Sequence, residues 1–316
     1  MTDNAEKVVL IVCGPTASGK SALALDVATE FDGVVINADS MQVYQELRIL
    51  TARPSPDKEA LVPHRLYGFV SVHDIFSAGR WRDIAIAEID AAHVAGRLPV
   101  ICGGTGLYIK TLIEGLSRIP SIPEDVRRRV REKTVELGAK SAHAALARID
   151  YKTAARIDPG DTQRISRALE VFEATGRPLA EWQADTLSGP DPAWHFIVIL
   201  LTPQREILNA AINTRLRNML DAGALEEVAS LDGFDNGLPA LKALGVPDLR
   251  RHLRGEIELE AAINFAQTAT RQFAKRQVTW FKNKIIADYT IKAQYSKRFK
   301  KEIFAFIRDN VLTQSD

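Results

Sequence analysis

Eight residues near the start of the chain have the types and spacing of a phosphate cradle: Gly14, Pro15, Thr16, Ala17, Ser18, Gly19, Lys20 and Ser21 fit G-x-x-x-x-G-K-[ST]. Glycines let the backbone curl so that successive N–H groups point inward at phosphate oxygens. The opening of a helix adds partial positive charge. Lys20 supplies a point charge, and Ser21 offers a hydroxyl to Mg²⁺. The pattern requires a strand before it and a helix after it. Val8–Cys13 is a continuous apolar run of the kind buried on both faces of a parallel sheet, and Ala22–Ala28 has helical spacing. The chemistry predicted here is the binding of a phosphate or diphosphate, which is not by itself ATP hydrolysis.

A metal-ordering acid would cap an apolar strand, but neither Cys102-Gly103 nor Leu201-Thr202 ends in one. The acid nearest a strand end is Asp39, two residues past Asn37 in Ile36-Asn-Ala-Asp-Ser-Met-Gln42. In a parallel sheet its strand should open on the same side as the cradle, which suits a general base or a metal contact. The alternative is an N-cap for the next helix. A second cluster, Gly103-Gly-Thr-Gly106, also follows a strand and precedes an apolar helix starting at Leu107. It reads equally as a second anion loop or as a close helix–sheet packing turn. Cys13 and Cys102 each precede one of these loops and read as buried small hydrophobes. Two cysteines make neither a disulfide framework nor a four-ligand zinc site, and the six histidines show no metal spacing.

These loops need a sheet to carry them. Short β-rich runs (Val8–Cys13, Val34–Ile36, Leu98–Cys102) alternate with helical periodicity such as Trp81–Ala95, and a further strand, Phe196–Leu201, returns after a long gap. The gap, from Pro123 to about Trp182, is rich in Arg, Ala, Glu and Leu without a strand pattern. The reading is an α/β chain: a P-loop NTPase-like parallel sheet core with an all-helical insertion domain. Residues 1–122 and 186–316 form the core, residues 123–185 the insert, and helices follow at Arg205–Leu220 and Glu256–Lys284. With 316 residues, 46% hydrophobic and 26% charged, the composition excludes disordered and collagenous classes. No apolar run approaches a membrane span and no basic signal region is visible, so a reduced, cytosolic, soluble protein is expected.

The net charge of +1 hides an uneven distribution. Arg271–Lys301 holds ten Lys/Arg against Asp288, a local +9 that leaves −8 for the rest. Phe273, Trp280, Phe281, Tyr289, Tyr295 and Phe299 interleave with those cations, a composition that suits RNA phosphates and bases. Yet Phe273, Gln277, Trp280, Phe281 and Lys284 fall at helical spacing, which makes the rings core-facing and leaves the cations as the RNA footprint or a solvated face. Arg127–Arg131 reads either way.

Six segments together resemble the bacterial tRNA dimethylallyltransferase (tRNA isopentenyltransferase) family over most of the chain. They are Gly14–Ser21, Ala38-Asp-Ser-Met-Gln-Val-Tyr44, Gly103-Gly-Thr-Gly-Leu-Tyr108, Asp161–Val171, Ile212-Asn-Thr-Arg215 and Arg271–Phe281. The resemblance implies transfer of a dimethylallyl group from dimethylallyl pyrophosphate to N6 of adenosine 37 in tRNAs reading codons that begin with U. It also implies Mg²⁺, the anticodon stem-loop as partner, and a helical insertion beside a P-loop core; a monomer with no membrane partner is expected. Carried over by position, Thr16–Ser21 hold the pyrophosphate, Thr16 and Arg215 act beside it, and Asp39 is the base. Asp39, Ser40, Met41 and Gln42, with Thr105, Arg127, Gln163, Arg164, Ile165, Ser166 and Arg167, contact tRNA. The chain departs from the family pattern at Leu50 and Arg53 (for Gly and Lys), at Arg65 (for His), and at Val246-Pro247 (for Tyr-Lys/Arg), so RNA contacts are not carried over there. The rivals are a P-loop small-molecule kinase, a dimethylallyltransferase acting on free adenylate, and a nucleic-acid-binding P-loop module without covalent chemistry.

Overall fold

The computed structural model describes residues 7–117, 119–185 and 189–311. The chain forms two compact units, Met1–Ile113 with Pro190–Asp316, and Glu114–Gly189. The first unit carries six strands: β1 (Lys7–Cys13), β2 (Gly33–Asn37), β3 (His64–Arg65), β4 (Leu98–Gly103), β5 (Trp194–Leu201) and β6 (Tyr289–Ile291). They form one sheet in the order β3-β2-β4-β1-β5-β6, with every pairing parallel. In register, Cys13 lies beside Gly103 and Leu200, and Asn37 beside Cys102. The loops after β1, β2 and β4 therefore leave from one edge, where an open parallel sheet binds its ligands.

Both faces of the sheet are covered, which is why the strands read as unbroken apolar runs. Leu10, Val12, Val35, Val100 and Ile199 pack under α1 (Lys20–Glu30), together with the last helix, α14 (Lys300–Val311). Val9, Ile11, Ile36, Ile101 and Val198 pack on the opposite face, against α3 (Ala78–Val94) and α4 (Gly106–Glu114). A short helix, α2 (Pro56–Leu61), lies between β2 and β3. A third cluster joins α10 (Arg205–Asp221), α11 (Ala224–Ala229), α12 (Val246–Leu253) and the start of α13 (Leu259–Lys284) to the loop after β2, through Val43, Leu47, Leu50, Leu216, Val246 and Ile263.

The second unit is helical: α5 (Glu124–Leu137), α6 (Ala139–Ile149), α7 (Tyr151–Ala154), α8 (Thr162–Thr175) and α9 (Leu179–Ala184). It opens at Glu114 and runs to Gly189, against the residues 123–185 expected for the insert. Val126, Val130, Leu146, Ile165 and Val171 form its core. Glu170 is buried there, paired with Arg131 Nε at 3.0 Å and Arg167 at 3.7 Å.

The basic segment comprises the C-terminal half of α13, the edge strand β6 and the start of α14. Phe281 and Tyr295 are buried, Trp280, Tyr289 and Phe299 are half-buried against the two sheet clusters, and Phe273 is half-buried outside them, so all these rings but Phe273 serve packing. Lys275, Arg276, Lys282 and Lys284 remain exposed on α13. Among the described residues, no helix is long and apolar enough to cross a membrane.

Candidate active site

The cradle is a tight loop from β1 into α1. Gly19 caps the helix at φ 90, a left-handed conformation that only glycine adopts at little steric cost, and Ala17 is also left-handed at φ 63. Its outer side is tied to the segment after β6. Gln294 Nε2 donates to the Ala17 carbonyl at 2.9 Å, the Tyr295 N–H donates to the Ser18 carbonyl at 3.0 Å, and the Tyr295 hydroxyl bonds Asp26 at 2.7 Å. Its inner side is tied to α13. Buried Gln277 accepts from the Thr16 N–H at 2.8 Å and donates to the Gly104 carbonyl at 2.8 Å, joining the two glycine-rich loops. Ser18 Oγ is buried without a partner, as suits a donor waiting for a phosphate oxygen. The first turn of α1 directs its N–H groups out of the helix.

The second cluster is a packing turn. A side chain at Gly103 would collide with the Ala38 carbonyl, and one at Gly106 with the Trp280 ring. Thr105 uses its hydroxyl on the Asp39 loop, accepting from the Ser40 N–H at 2.9 Å and donating to Ser40 Oγ at 3.2 Å.

No helix starts at Asp39, which removes the N-cap reading. Its loop is built on Asn37, a fully buried side chain at the end of β2. Asn37 Oδ1 accepts from the Asp39 N–H at 2.8 Å, while Nδ2 donates to the carbonyls of Asp39 and Leu66 at 3.0 Å each. Trp81 Nε1 donates to the Asn37 carbonyl at 2.7 Å. Asp39 Oδ1 then accepts from the Met41 N–H at 3.0 Å.

The cradle and Asp39 open into one cavity of about 260 Å³, which Thr16, Asp39, Ser40, Met41 and Arg215 all line. Arg215 comes from α10, and Lys242 and Arg276 add further positive charge. Leu50, Ile212, Leu216, Met219, Leu244 and Phe273 supply apolar wall. Burial lowers the Lys20 pKa from its ordinary value, and the charge of Asp39 works against that. The same two effects act on Arg215. Beneath the cradle, burial pushes the Cys102 thiol up to about 11 and the Cys13 thiol further, so both stay neutral and inert.

The remaining expected contacts differ in burial and in partners. Gln42 is buried, its amide donating to the carbonyls of Thr51 and Ala52 at 2.8 and 3.1 Å, so it shapes the loop rather than offering itself to RNA. Ile165 is fully buried in the core of the helical unit, which rules out an RNA contact by its side chain. On α8, Gln163 and Arg164 are exposed, Arg167 is half-buried beside Glu170, and Ser166 is buried. Arg127, on α5, lies 3.7 Å from Glu124. Two departures meet in space: a side chain at Gly245 would begin 3.3 Å from Leu50 Cδ2, and Val246 shares its apolar cluster. Arg53 donates to the Tyr44 and Gln45 carbonyls, and exposed Arg65 pairs with Glu88.

Among the described residues, no group of three or more His, Cys, Asp or Glu side chains could hold a metal. A cation such as Mg²⁺ keeps most of its waters and binds largely through a substrate's phosphates, so a single hydroxyl is the kind of donor it would take from the protein. Ser21, exposed at the start of α1 and within reach of the Cys102 sulfur, is the hydroxyl beside the cradle.

A doubly wound parallel sheet, a P-loop at its edge and a cationic, partly apolar cavity facing a carboxylate define a P-loop-fold transferase. The chain belongs to the IPP transferase family, whose model matches residues 42–284. It is 55% identical over 285 residues to a tRNA dimethylallyltransferase of Rhodospirillum centenum, covering 90% of this chain and 91% of that relative. Its fold is similar to the crystal structure of the tRNA isopentenylpyrophosphate transferase of Bacillus halodurans, with TM-score 0.70, 33% identity and 98% of each chain covered. It is also similar to a eukaryotic dimethylallyltransferase crystallised acting on tRNA, with TM-score 0.81, 25% identity, and 97% and 79% of the two chains covered.

Proposed function

We propose that the protein is a tRNA dimethylallyltransferase that moves the dimethylallyl group of dimethylallyl pyrophosphate onto N6 of adenosine 37, in tRNAs reading codons that begin with U. The observation that carries this reading is the single cavity in which Thr16, Asp39 and Arg215 share space with apolar wall. A kinase would need cations and a phosphate acceptor there; a prenyl donor needs an anion site and a hydrocarbon site together.

The reaction breaks the C1–O bond of the donor, whose electron pair leaves with pyrophosphate. A new C1–N6 bond forms from the amine lone pair, and the displaced N6 proton passes to the Asp39 carboxylate. An exocyclic adenine amine is a weak nucleophile because its lone pair is delocalised into the ring, so rate must come from positioning and from the leaving group. The amides of the α1 N-terminus, Lys20 and Arg215 stabilise charge growing on pyrophosphate. Asp39 takes a proton that becomes acidic only as the new bond forms, worth roughly 10²–10⁴ in rate. Ser21 would hold Mg²⁺ together with the diphosphate, and the ion would neutralise leaving-group charge. The target base must swing out of its loop before it can enter the cavity. Ser40, Met41 and Thr105 sit at the Asp39 loop where that base would arrive, with Arg127, Gln163, Arg164 and Arg167 of the helical unit as further RNA contacts. The enzyme works as a cytoplasmic monomer.

The test is incubation with radiolabelled dimethylallyl pyrophosphate, Mg²⁺, and either unmodified tRNA or AMP. Label is expected in tRNA at adenosine 37. Label on AMP alone would reassign the protein to free nucleotides, and phosphoryl transfer from ATP to a small acceptor would reassign it to the kinases.

A further inference from the structure

We infer that Leu50, held in place by Glu227, sets how long a hydrocarbon the donor diphosphate can carry. Leu50 is buried and lines the same cavity as Thr16, Asp39 and Arg215. Its backbone is fixed from outside that cavity. The consecutive N–H groups of Arg48, Ile49 and Leu50 all donate to the Glu227 carboxylate of α11, at 2.7, 2.6 and 3.0 Å. Three backbone amides on one carboxylate form a clamp, and hydrogen bonds to a charged acceptor are stronger than neutral ones.

The chain just beyond Leu50 is pinned as well. Gln42 holds the carbonyls of Thr51 and Ala52, and Thr51 Oγ1 donates back to the Leu47 carbonyl at 2.6 Å. The Leu50 side chain abuts Gly245, where an added Cβ would lie 3.3 Å from Cδ2. Leu50 thus stands between the cavity and the cluster of Val43, Leu47 and Val246, with no slack in the backbone that would let it move aside. The cavity, at about 260 Å³, is small beside typical small-molecule sites of about 300–1,000 Å³, so trimming a wall residue should enlarge the space open to the donor's hydrocarbon.

This inference rests on the reading that the cavity takes a prenyl diphosphate. The experiment compares wild type, Leu50→Gly, Leu50→Ala and Glu227→Gln, all as full chains, on tRNA with dimethylallyl or geranyl diphosphate, with products identified by mass. Wild type should transfer the five-carbon group and refuse the ten-carbon one. Leu50→Gly should raise the kcat/KM ratio of geranyl over dimethylallyl about tenfold to a hundredfold, with Leu50→Ala intermediate. Glu227→Gln should move the same ratio in the same direction, because Glu227 is a positioning residue; an equal loss on both donors would reduce it to a structural role and overturn its part. Should Leu50→Gly fold poorly, binding of geranyl diphosphate to Leu50→Ala by calorimetry gives the same readout without turnover. Variants that transfer the dimethylallyl group and still exclude the longer donor would overturn the wall. A raised KM for tRNA with unchanged donor preference would overturn it too, by placing Leu50 on the base. Failure of wild type to label tRNA from either donor would instead overturn the proposed function itself.

Discussion

The charge of Asp39 acts on Lys20, which gives the carboxylate a second role beside the proton acceptance proposed for it. Burial draws the Lys20 pKa down while Asp39 holds it up. Replacing Asp39 by Asn keeps the side-chain shape and removes the charge. Turnover should then fall roughly 10²–10⁴-fold. Lys20, without its counter-charge, should lose its proton at lower pH than in wild type, so affinity for inorganic pyrophosphate should fall earlier on the alkaline side. Calorimetric titration of pyrophosphate across the alkaline range checks this, and an unmoved alkaline limb would mean that Asp39 does not set the charge of Lys20. The cradle was legible in the sequence because its eight residues are contiguous. Asn37, Gln277 and Glu227 were not, since each acts as a hydrogen-bond bridge to backbone that only the fold brings close. Gln277 reaches Thr16 across 261 positions and Glu227 reaches Arg48 across 179. The signal that existed was a polar side chain at a position whose neighbours are all apolar, as with Asn37 at the end of β2.

Secondary-structure elements divide into those with periodicity and those without. The four longer strands and the long helices announce themselves by continuous or 3.6-spaced apolar residues. β3 and β6, of two and three residues, are too short to carry a pattern and exist because an edge pairs with them. Within the helical unit, Asp150 links two elements. Its Oδ1 caps α7 by accepting from the Thr153 N–H at 3.0 Å, and Oδ2 accepts from the Ala180 N–H at 3.1 Å. Burial alone would raise its pKa, but these hydrogen bonds prevail and hold it below the ordinary carboxylate value. A depressed folded pKa stabilises fully above the unfolded value, about 3.9, and that stability is lost as pH falls through the folded pKa. Asp150→Asn turns an N–H₂ group toward an amide donor and should cost about 1–3 kcal/mol at neutral pH. In urea unfolding the gap between wild type and variant should narrow as pH drops below about 4. A gap independent of pH would show that the loss is steric rather than electrostatic.

At the scale of the whole molecule, exposed cations such as those of α13, if they meet tRNA phosphates as proposed, make affinity a question of counterion release. Each phosphate neutralised on a single-stranded segment steepens the log–log salt slope by about 0.7. Charge removal at Lys275 and Lys284, both exposed, should flatten that slope by about one to one and a half in filter-binding titrations. An unchanged slope would remove this face from the RNA footprint. The sequence made the excess charge visible but not its scaffold, since composition does not distinguish a loose extension from a helix whose other side is packed.

The cradle's outer wall bears on order in time as well as in space. Ala17 and Ser18 leave the ribosome long before the groups that brace them, since Gln294 lies 277 positions beyond Ala17 and Tyr295 follows it. A nascent or prematurely terminated chain that stops short of β6 therefore carries the whole signature motif without its buttress. Such a fragment should grip pyrophosphate poorly, whatever its motif promises.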